Sequence, residues 1–383
     1  MENSDLNRRK MPMKASIPHR SHSPRRSDSQ NGHALQYLSE EERAHAQTPY
    51  SETGVDRSAT QRFIESIKPL AESTRGPGLR SSLGGFGGIF DLKAALPFLK
   101  DPLLVSSTDG IGTKAYLAKN PKDFQGLGID LVAMCVNDIL THGATPLFFL
   151  DYLGIETLEE QKIQMLMRGI ALGCREAGCA LIGGETAQMP GLYTPGRYDL
   201  AGFVVGAVER QNLLPKTTCK PNDVLLGLQS SGLHANGFSL VRRIVESSSL
   251  SWDDPAPFAP QYSLREVCLK PSRIYKESVL SLLRVSQGIK AIAHITGGGL
   301  IENIPRVLPP TLVPHINPLK TMPPLFHWLA DEGNLSIESM MTTFNCGIGL
   351  VFVVDPEAAS SLKTHALGLG ETLIELGDLK ACF

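Results

Sequence analysis

Four times along this chain a short apolar run breaks into glycines accompanied by an acid, an amide or a hydroxyl. These stretches are Val105-Ser106-Ser107-Thr108-Asp109-Gly110-Ile111-Gly112-Thr113-Lys114, Ala180-Leu181-Ile182-Gly183-Gly184-Glu185, Gln229-Ser230-Ser231-Gly232-Leu233-His234-Ala235-Asn236-Gly237 and Ile295-Thr296-Gly297-Gly298-Gly299-Leu300. Apolar runs that alternate with segments of helical period are the pattern of α/β layers, and the ends of such strands are where ligands collect. The fold class expected is therefore α/β (α+β). Strands are expected over Leu103–Ser106, Leu147–Tyr152, Asp199–Val208, Val224–Leu228, Ile289–His294 and Gly349–Val354. Helices are expected over Ile129–His142, Leu158–Ala177, Gly237–Ser247, Pro271–Val285, Leu300–Val307 and Pro324–Asp331. The polar stretch Arg210–Asn222, with Pro215 and Pro221, is the best boundary, giving domains over 50–209 and 210–383. A second polar, Pro-rich insert lies near Ser251–Tyr262, and no short tandem repeat is visible.

The 383 residues suffice for two α/β domains of usual size. With Lys+Arg 37 against Asp+Glu 39, the formal charge of −2 offers no positive field to hold nucleic acid. No apolar run is long enough for a membrane span. The 7 cysteines show neither a CxxC pair nor zinc-ligand spacing, which fits a reduced, cytoplasmic setting. Cys135, Cys174 and Cys346 sit in apolar contexts and read as packing. Residues 1–49, rich in Arg, Ser and His, read as a disordered leader. A transit peptide is the alternative, opposed by Glu2, Asp5, Asp28 and the run Glu40-Glu41-Glu42.

The residues that carry chemistry begin with Leu83-Gly84-Gly85-Phe86-Gly87-Gly88, whose backbone amides can approach phosphate closely, although a flexible turn would look the same. After the first strand, Asp109 is a candidate for Mg²⁺ and Lys114 for a phosphate. In the helix that follows, Asp130 and Asn137 are seven residues apart on one face, with Asp138 beside them. Hard oxygen ligands such as Asp109, Asp138 and Glu185 are what Mg²⁺ prefers beside phosphates, and the three suggest one metal–phosphate centre. In the second half, Ser230, Ser231 and Asn236 surround His234, a candidate for orienting or protonating substrate. Thr296, Gly297 and Gly298 repeat the strand–glycine–helix arrangement of a second phosphate site, whereas Phe344-Asn345-Cys346-Gly347 reads as a buried turn.

In this order the segments resemble the phosphoribosylformylglycinamidine cyclo-ligase family, also called aminoimidazole ribonucleotide synthetases. The resemblance starts at Tyr50-Ser51-Glu52-Thr53-Gly54-Val55-Asp56 and continues through SLGGFGG, STDGIGTK, GIDLVAMCVNDIL, PLFFLDYL, GGETAQMPG, YDLAGFVVG, SSGLHANGFSLVRR, IAHITGGGLIENIPRVLP and TFNCGIGL. It implies a C–N bond-forming ligase of de novo purine (IMP) biosynthesis that closes formylglycinamidine ribonucleotide to aminoimidazole ribonucleotide, with release of ADP and phosphate. It also implies a two-domain fold, a homodimer whose N-terminal halves share a β-barrel, and ATP and Mg²⁺ as cofactors. By the same resemblance Lys68, Gly84, Gly85, Phe86, Gly87, Asp130 and Asn137 lie on the nucleotide side. Asp109, Asp138 and Glu185 bind Mg²⁺, Asp109, Lys114 and His234 serve catalysis, and Ser230, Ser231, Asn236, Thr296, Gly297 and Gly298 face substrate.

The chain departs from the family in carrying Gln188 where Glu is frequent and Ala235 where Ser is common. Its final strand is expected over Thr372–Leu376, with a further family strand missing and the C-terminal edge weakened accordingly. Two other readings stay open: a relative such as a thiamine-phosphate kinase or selenophosphate synthetase, and a nucleotide-binding scaffold without turnover. A selenophosphate synthetase would want a reactive cysteine near the glycine loop, and none lies between Tyr50 and Asp109.

Overall fold

The computed structural model describes residues 57–317 and 322–382; the 1–49 leader and the Tyr50–Asp56 segment lie outside them. Its strands are β1 Pro102–Gly110, β2 Thr145–Ile155, β3 Ala180–Gln188, β4 Tyr198–Glu209, β5 Val224–Gln229, β6 Pro255–Ala256, β7 Ala259–Ser263, β8 Ile289–His294, β9 Leu312–Ile316, β10 Ile348–Val354 and β11 Leu373–Ala381. Its helices are α1 Arg57–Glu72, α2 Leu92–Ala95, α3 Pro121–Leu140, α4 Glu160–Ala177, α5 Phe238–Ser247, α6 Leu264–Cys268, α7 Lys276–Val285, α8 Gly299–Asn303, α9 Pro324–Glu332, α10 Ile337–Thr343 and α11 Pro356–Gly368.

The first half builds a four-stranded sheet in the order β1-β4-β2-β3. Only β2 and β3 are parallel, because α4 carries the chain back over the sheet between them. Helix α3 starts at Pro121, well before the expected Ile129, since Asn120 and Asp123 form a capping box and Pro121 fits the first turn. Gly126 and Gly128 had obscured the apolar period there. At Gly128 and Gly169 a side chain would overlap the backbone of the other helix, so α3 and α4 cross at a separation only glycine permits. Leu131, Val132, Val136 and Ile139 of α3 then pack with Phe149, Leu153 and Val204 of the sheet in the main core.

The second half is a five-stranded antiparallel sheet ordered β8-β10-β5-β11-β9. β10 is buried along its whole length, Ile348 to Val354. The expectation of a weak C-terminal edge is corrected: β11 runs to Ala381 and lies inside the sheet, paired with both β5 and β9. The Pro-rich insert forms the hairpin β6–β7. The expected helix over Pro271–Val285 begins only at Lys276, because residues 269–275 are spent on contacts with the first half.

Those contacts centre on a buried ion pair between Lys114 Nζ and Asp130 Oδ2, 2.7 Å apart with both side chains at 0% exposure. Lys114 Nζ also donates to the Lys270 carbonyl at 3.0 Å. Asp130 Oδ1 accepts from the Ser272 amide and hydroxyl at 2.8 and 2.6 Å. Asn137 donates to the Arg273 carbonyl at 2.8 Å and accepts from the Tyr275 amide at 3.0 Å. Burial pushes the Lys114 ammonium down and the Asp130 carboxyl up, and each partner's charge opposes the other's neutralisation.

Removing one partner strands the other charge in the core, at a cost of about 3–5 kcal/mol. Asp130→Ala is therefore expected to lower the urea midpoint strongly, while the apolar pair Lys114→Met with Asp130→Leu recovers most of the loss. Equal destabilisation by the single and the double variant would refute the charge argument.

Candidate functional site

The glycine run Gly84–Gly88 roofs a cavity of about 480 Å³ whose floor is the β2–β3 edge of the first sheet. Thr60, Ile64 and Ile67 of α1 close one wall, and Asp151, Glu185 and Phe203 line the interior. Phe86 stands fully exposed at the tip of the roof. Lys68 lies against the same loop, and a Cβ on Gly84 would sit 3.8 Å from Lys68 Cε. Its ammonium pairs with Glu65 at 2.6 Å on the exposed face of α1.

Asp151 was not among the expected residues. It occupies β2 inside the apolar run PLFFLDYL, and it is 6% exposed. Burial first, and then the charge of Glu185, raise its pKa to about 7. Gly184 is what allows it there, since a side chain at that position would overlap the Asp151 carboxylate. A lone acid within an apolar strand was the available signal.

The structure does not bring the three expected metal ligands together. Register runs Asp109 to Gly202, Gly202 to Asp151 and Asp151 to Gly184, so Asp109 and the Glu185 segment are three strands apart. At usual strand spacing that is roughly 14 Å. Among the described residues no three His, Cys, Asp or Glu side chains cluster to hold a metal. Asp138 is committed elsewhere: Oδ1 lies 2.8 Å from His294 Nδ1, and Oδ2 accepts from the Ser107 hydroxyl at 2.9 Å. Burial opposes its ionisation, but the bonds from His294 and Ser107 outweigh that and hold the carboxyl below its ordinary value. Asp109, half-buried, accepts from the Gly110 amide at 2.7 Å; its pKa is raised mainly by burial and further by Asp138. Ser106, Ser107, Asp138, His142, His294 and Arg306 line a polar pocket of about 250 Å³. His294, which sequence reasoning passed over, is 6% exposed, and its Nε2 is buried without a partner.

Three further groups of expected residues have partners of their own in the structure. Lys114, Asp130 and Asn137 form the seam between the halves, and full burial of all three closes them to a nucleotide. The Ser230 and Ser231 hydroxyls donate to the Gly232 and Pro271 carbonyls at 2.8 and 2.6 Å, so neither is a free donor. The Gly297 carbonyl accepts from Asn303 at 3.0 Å, which together with Asn303's bond to Gly299 O shapes the Thr296–Gly298 turn.

Ser230 and Ser231 do line a cavity of about 840 Å³, with Ile129, Phe258, Tyr262 and Phe326. His234 is 1% exposed and has φ 60°. Its Nε2 accepts from the Ser231 amide at 3.2 Å, so the proton sits on Nδ1, which has no partner among the described residues. Burial, followed by the charges of His294 and Lys114, pushes its pKa well below the usual histidine value. Burial and the bond from the Ser231 amide thus hold His234 neutral, with its N–H at Nδ1. Asn345, buried, ties the Phe344–Gly347 turn to Gly232 by a 2.9 Å bond.

Residues 91–208 match AIR synthase related protein, N-terminal domain, and residues 220–378 match the C-terminal domain of the same family. The chain belongs to the AIR synthase related family and has its two-domain α/β fold. Among solved structures it resembles thiamine-monophosphate kinase from Stenotrophomonas maltophilia K279a, with 18% identity over 83% of this chain and 92% of that one and a TM-score of 0.60. E. coli HypE, a hydrogenase maturation protein, matches at 18% identity over 84% and 91% with a TM-score of 0.60. HypE in complex with ATP matches at 16% over 86% and 88%, TM-score 0.61. At these identities the likeness is one of fold. No helix among the described residues is long and apolar enough to cross a membrane.

The raised pKa of Asp151 has a stability consequence. The folded state holds this proton and the unfolded chain does not, so in metal-free buffer stability falls as pH rises from about 4 through 7. Asp151→Asn should melt above wild type at pH 8, with the gap narrowing toward pH 4. A gap independent of pH would show that the carboxyl is not held protonated.

Proposed function

We propose that this chain is an ATP-dependent cyclo-ligase that closes formylglycinamidine ribonucleotide to aminoimidazole ribonucleotide and releases ADP and phosphate. The observation that carries the nucleotide half of this reading is the cavity under Gly84–Gly88, which joins the glycine loop and two carboxylates in one space, with Lys68 beside Gly84 next to it. HypE, which has this fold, has been solved with ATP. The substrate half is supported by the ten spaced sequence segments, from YSETGVD to TFNCGIGL.

The donor set of Asp151 and Glu185 fits Mg²⁺, because a carboxyl raised toward neutrality by burial, and further by the charge of a second acid, is relieved by a divalent cation. When bound, that ion would neutralise charge on the transferring phosphoryl group. Lys68 would contribute to the same neutralisation from the α1 side, and the glycine amides would cradle the phosphates. Phosphoryl transfer to the formyl amide oxygen makes it a leaving group, the amidine nitrogen bonds to that carbon, and the oxygen departs with phosphate. Most of the remaining contribution is positioning.

A homodimer is part of the proposal. The first sheet leaves Leu104 at 65% and Phe203 at 42% exposure, and Phe98 nearby in sequence at 70%, which is apolar surface that a second sheet would cover. Leu104→Asp is expected to move the sedimentation coefficient from dimer to monomer; a wild-type monomer would count against the shared barrel.

The deciding experiment measures phosphate release with ATP, Mg²⁺ and formylglycinamidine ribonucleotide, together with a colour assay for the aminoimidazole. Both signals are expected, and Lys68→Ala should lower kcat/KM by about tenfold or more. A second reading, phosphoryl transfer to a small phosphate ester, is favoured by the thiamine-monophosphate kinase likeness. ADP formed on thiamine monophosphate, with neither signal on the ribonucleotide, would establish that reading instead.

A further inference from the structure

Outside the cavities described so far, two guanidinium groups converge on one aromatic ring. Arg197, at the start of β4, lies 4.2 Å from the centroid of Tyr116, and Arg242 of α5 lies 4.8 Å from it. Both are therefore within about 9 Å of each other by way of the ring. Neither makes an ion pair or hydrogen bond among the described residues, and Arg242 Nε is buried without a partner. Two like charges stacked on one ring, neither of them ion-paired although Glu156 and Glu159 line the same small cavity as Arg197, are arranged for an anion that bridges them.

The neighbouring groups are donors as well. The turn Gly112–Leu117 lies along α5, with Thr113 Oγ1 3.0 Å from Ser239 Oγ. Ser239 and Arg242 are three residues apart and share a face of α5, whose Phe238 and Ser239 amides lack helical acceptors. Tyr198 fixes the other side by donating to the Ala115 carbonyl at 2.9 Å. Asn236, just ahead of the helix, has an Nδ2 that is buried and unpartnered. From Asn236 to Arg242 this seam presents N–H and O–H groups, and it begins at the loop that holds His234.

We propose that Arg197 and Arg242, braced on Tyr116, form a binding site for a phosphomonoester, the 5′-phosphate of a ribonucleotide. This deepens the substrate side of the cyclo-ligase reading and rests on it for the identity of the nucleotide. The test is separate, because it uses ribose 5-phosphate, which undergoes no ring closure.

Calorimetric titration of the full chain would compare ribose 5-phosphate, inorganic phosphate and ribose. Ribose 5-phosphate is expected to bind more tightly than inorganic phosphate, and ribose not at all. Arg197→Gln and Arg242→Gln should each weaken ribose 5-phosphate by about tenfold. Arg242→Lys should retain part of the affinity, and thermal melting would confirm that each variant is folded. Wild-type affinity in both folded Gln variants would overturn the site. Inorganic phosphate binding as tightly as the ester would overturn the assignment to a phosphomonoester. Should the cyclo-ligase assay fail while the titration succeeds, the anion site stands and the nucleotide must be sought elsewhere.

Discussion

The two halves of this protein are held in register by a charge pair that water does not reach. Lys114 belongs to the turn after β1, Asp130 to α3, and their carbonyl and hydroxyl partners to residues 270–272 of the second half. Two isolated charges at 0% exposure would be prohibitively costly, so the pair is tolerable only while Ser272 and the Lys270 carbonyl supply the remaining bonds. Asn137, two helical turns further along α3, extends the same clasp to Arg273 and Tyr275. Arg265 adds a bond of 2.6 Å to the Leu117 carbonyl. Every group placed between the halves inherits its position from this clasp, including the His294–Asp138 contact and the stacking of Arg242 on Tyr116.

That dependence explains why the acids divide as they do. Asp138 and Asp109 face the seam, where His294 and Ser107 satisfy the former and burial raises the latter. Asp151 and Glu185 are directed to the glycine-roofed cavity at the other edge of the sheet. One sheet thus carries two separate acidic regions, and only the second combines its acids with a glycine loop and a lysine free of the seam. The chemistry proposed for the nucleotide is assigned there for that reason.

Much of the fold could be read from periodicity. Strand Ile289–His294 and the fully apolar Ile348–Val354 region stand out because both faces of those strands are buried, and α4 ends where Gly178 supplies a left-handed cap. Less legible were α3, whose glycines interrupt the apolar stripe in order to let α4 approach, and the segment before α7, where side chains and amides bond across the seam in place of forming a helix. In the site, the glycine loop, Glu185 and His234 were visible as local composition. Asp151 and His294 were not, because Asp151 lies inside the apolar run of β2 and His294 ends the mostly apolar β8, where the usual expectation is a satisfied core group.

The sequence by itself determined the alternation of strand and helix, the polar, Pro-containing stretch Arg210–Asn222 and the set of residues able to do chemistry. Those follow from local spacing, since strand and helix periods decide which side chains share a face. Only the tertiary structure decided which polar groups meet. Lys114 and Asp109 are five residues apart, yet one is buried against Asp130 and the other turns toward the seam pocket near Asp138. Sheet order, and not sequence distance, sets the separation of Asp109 from Glu185, because each intervening strand adds its own width.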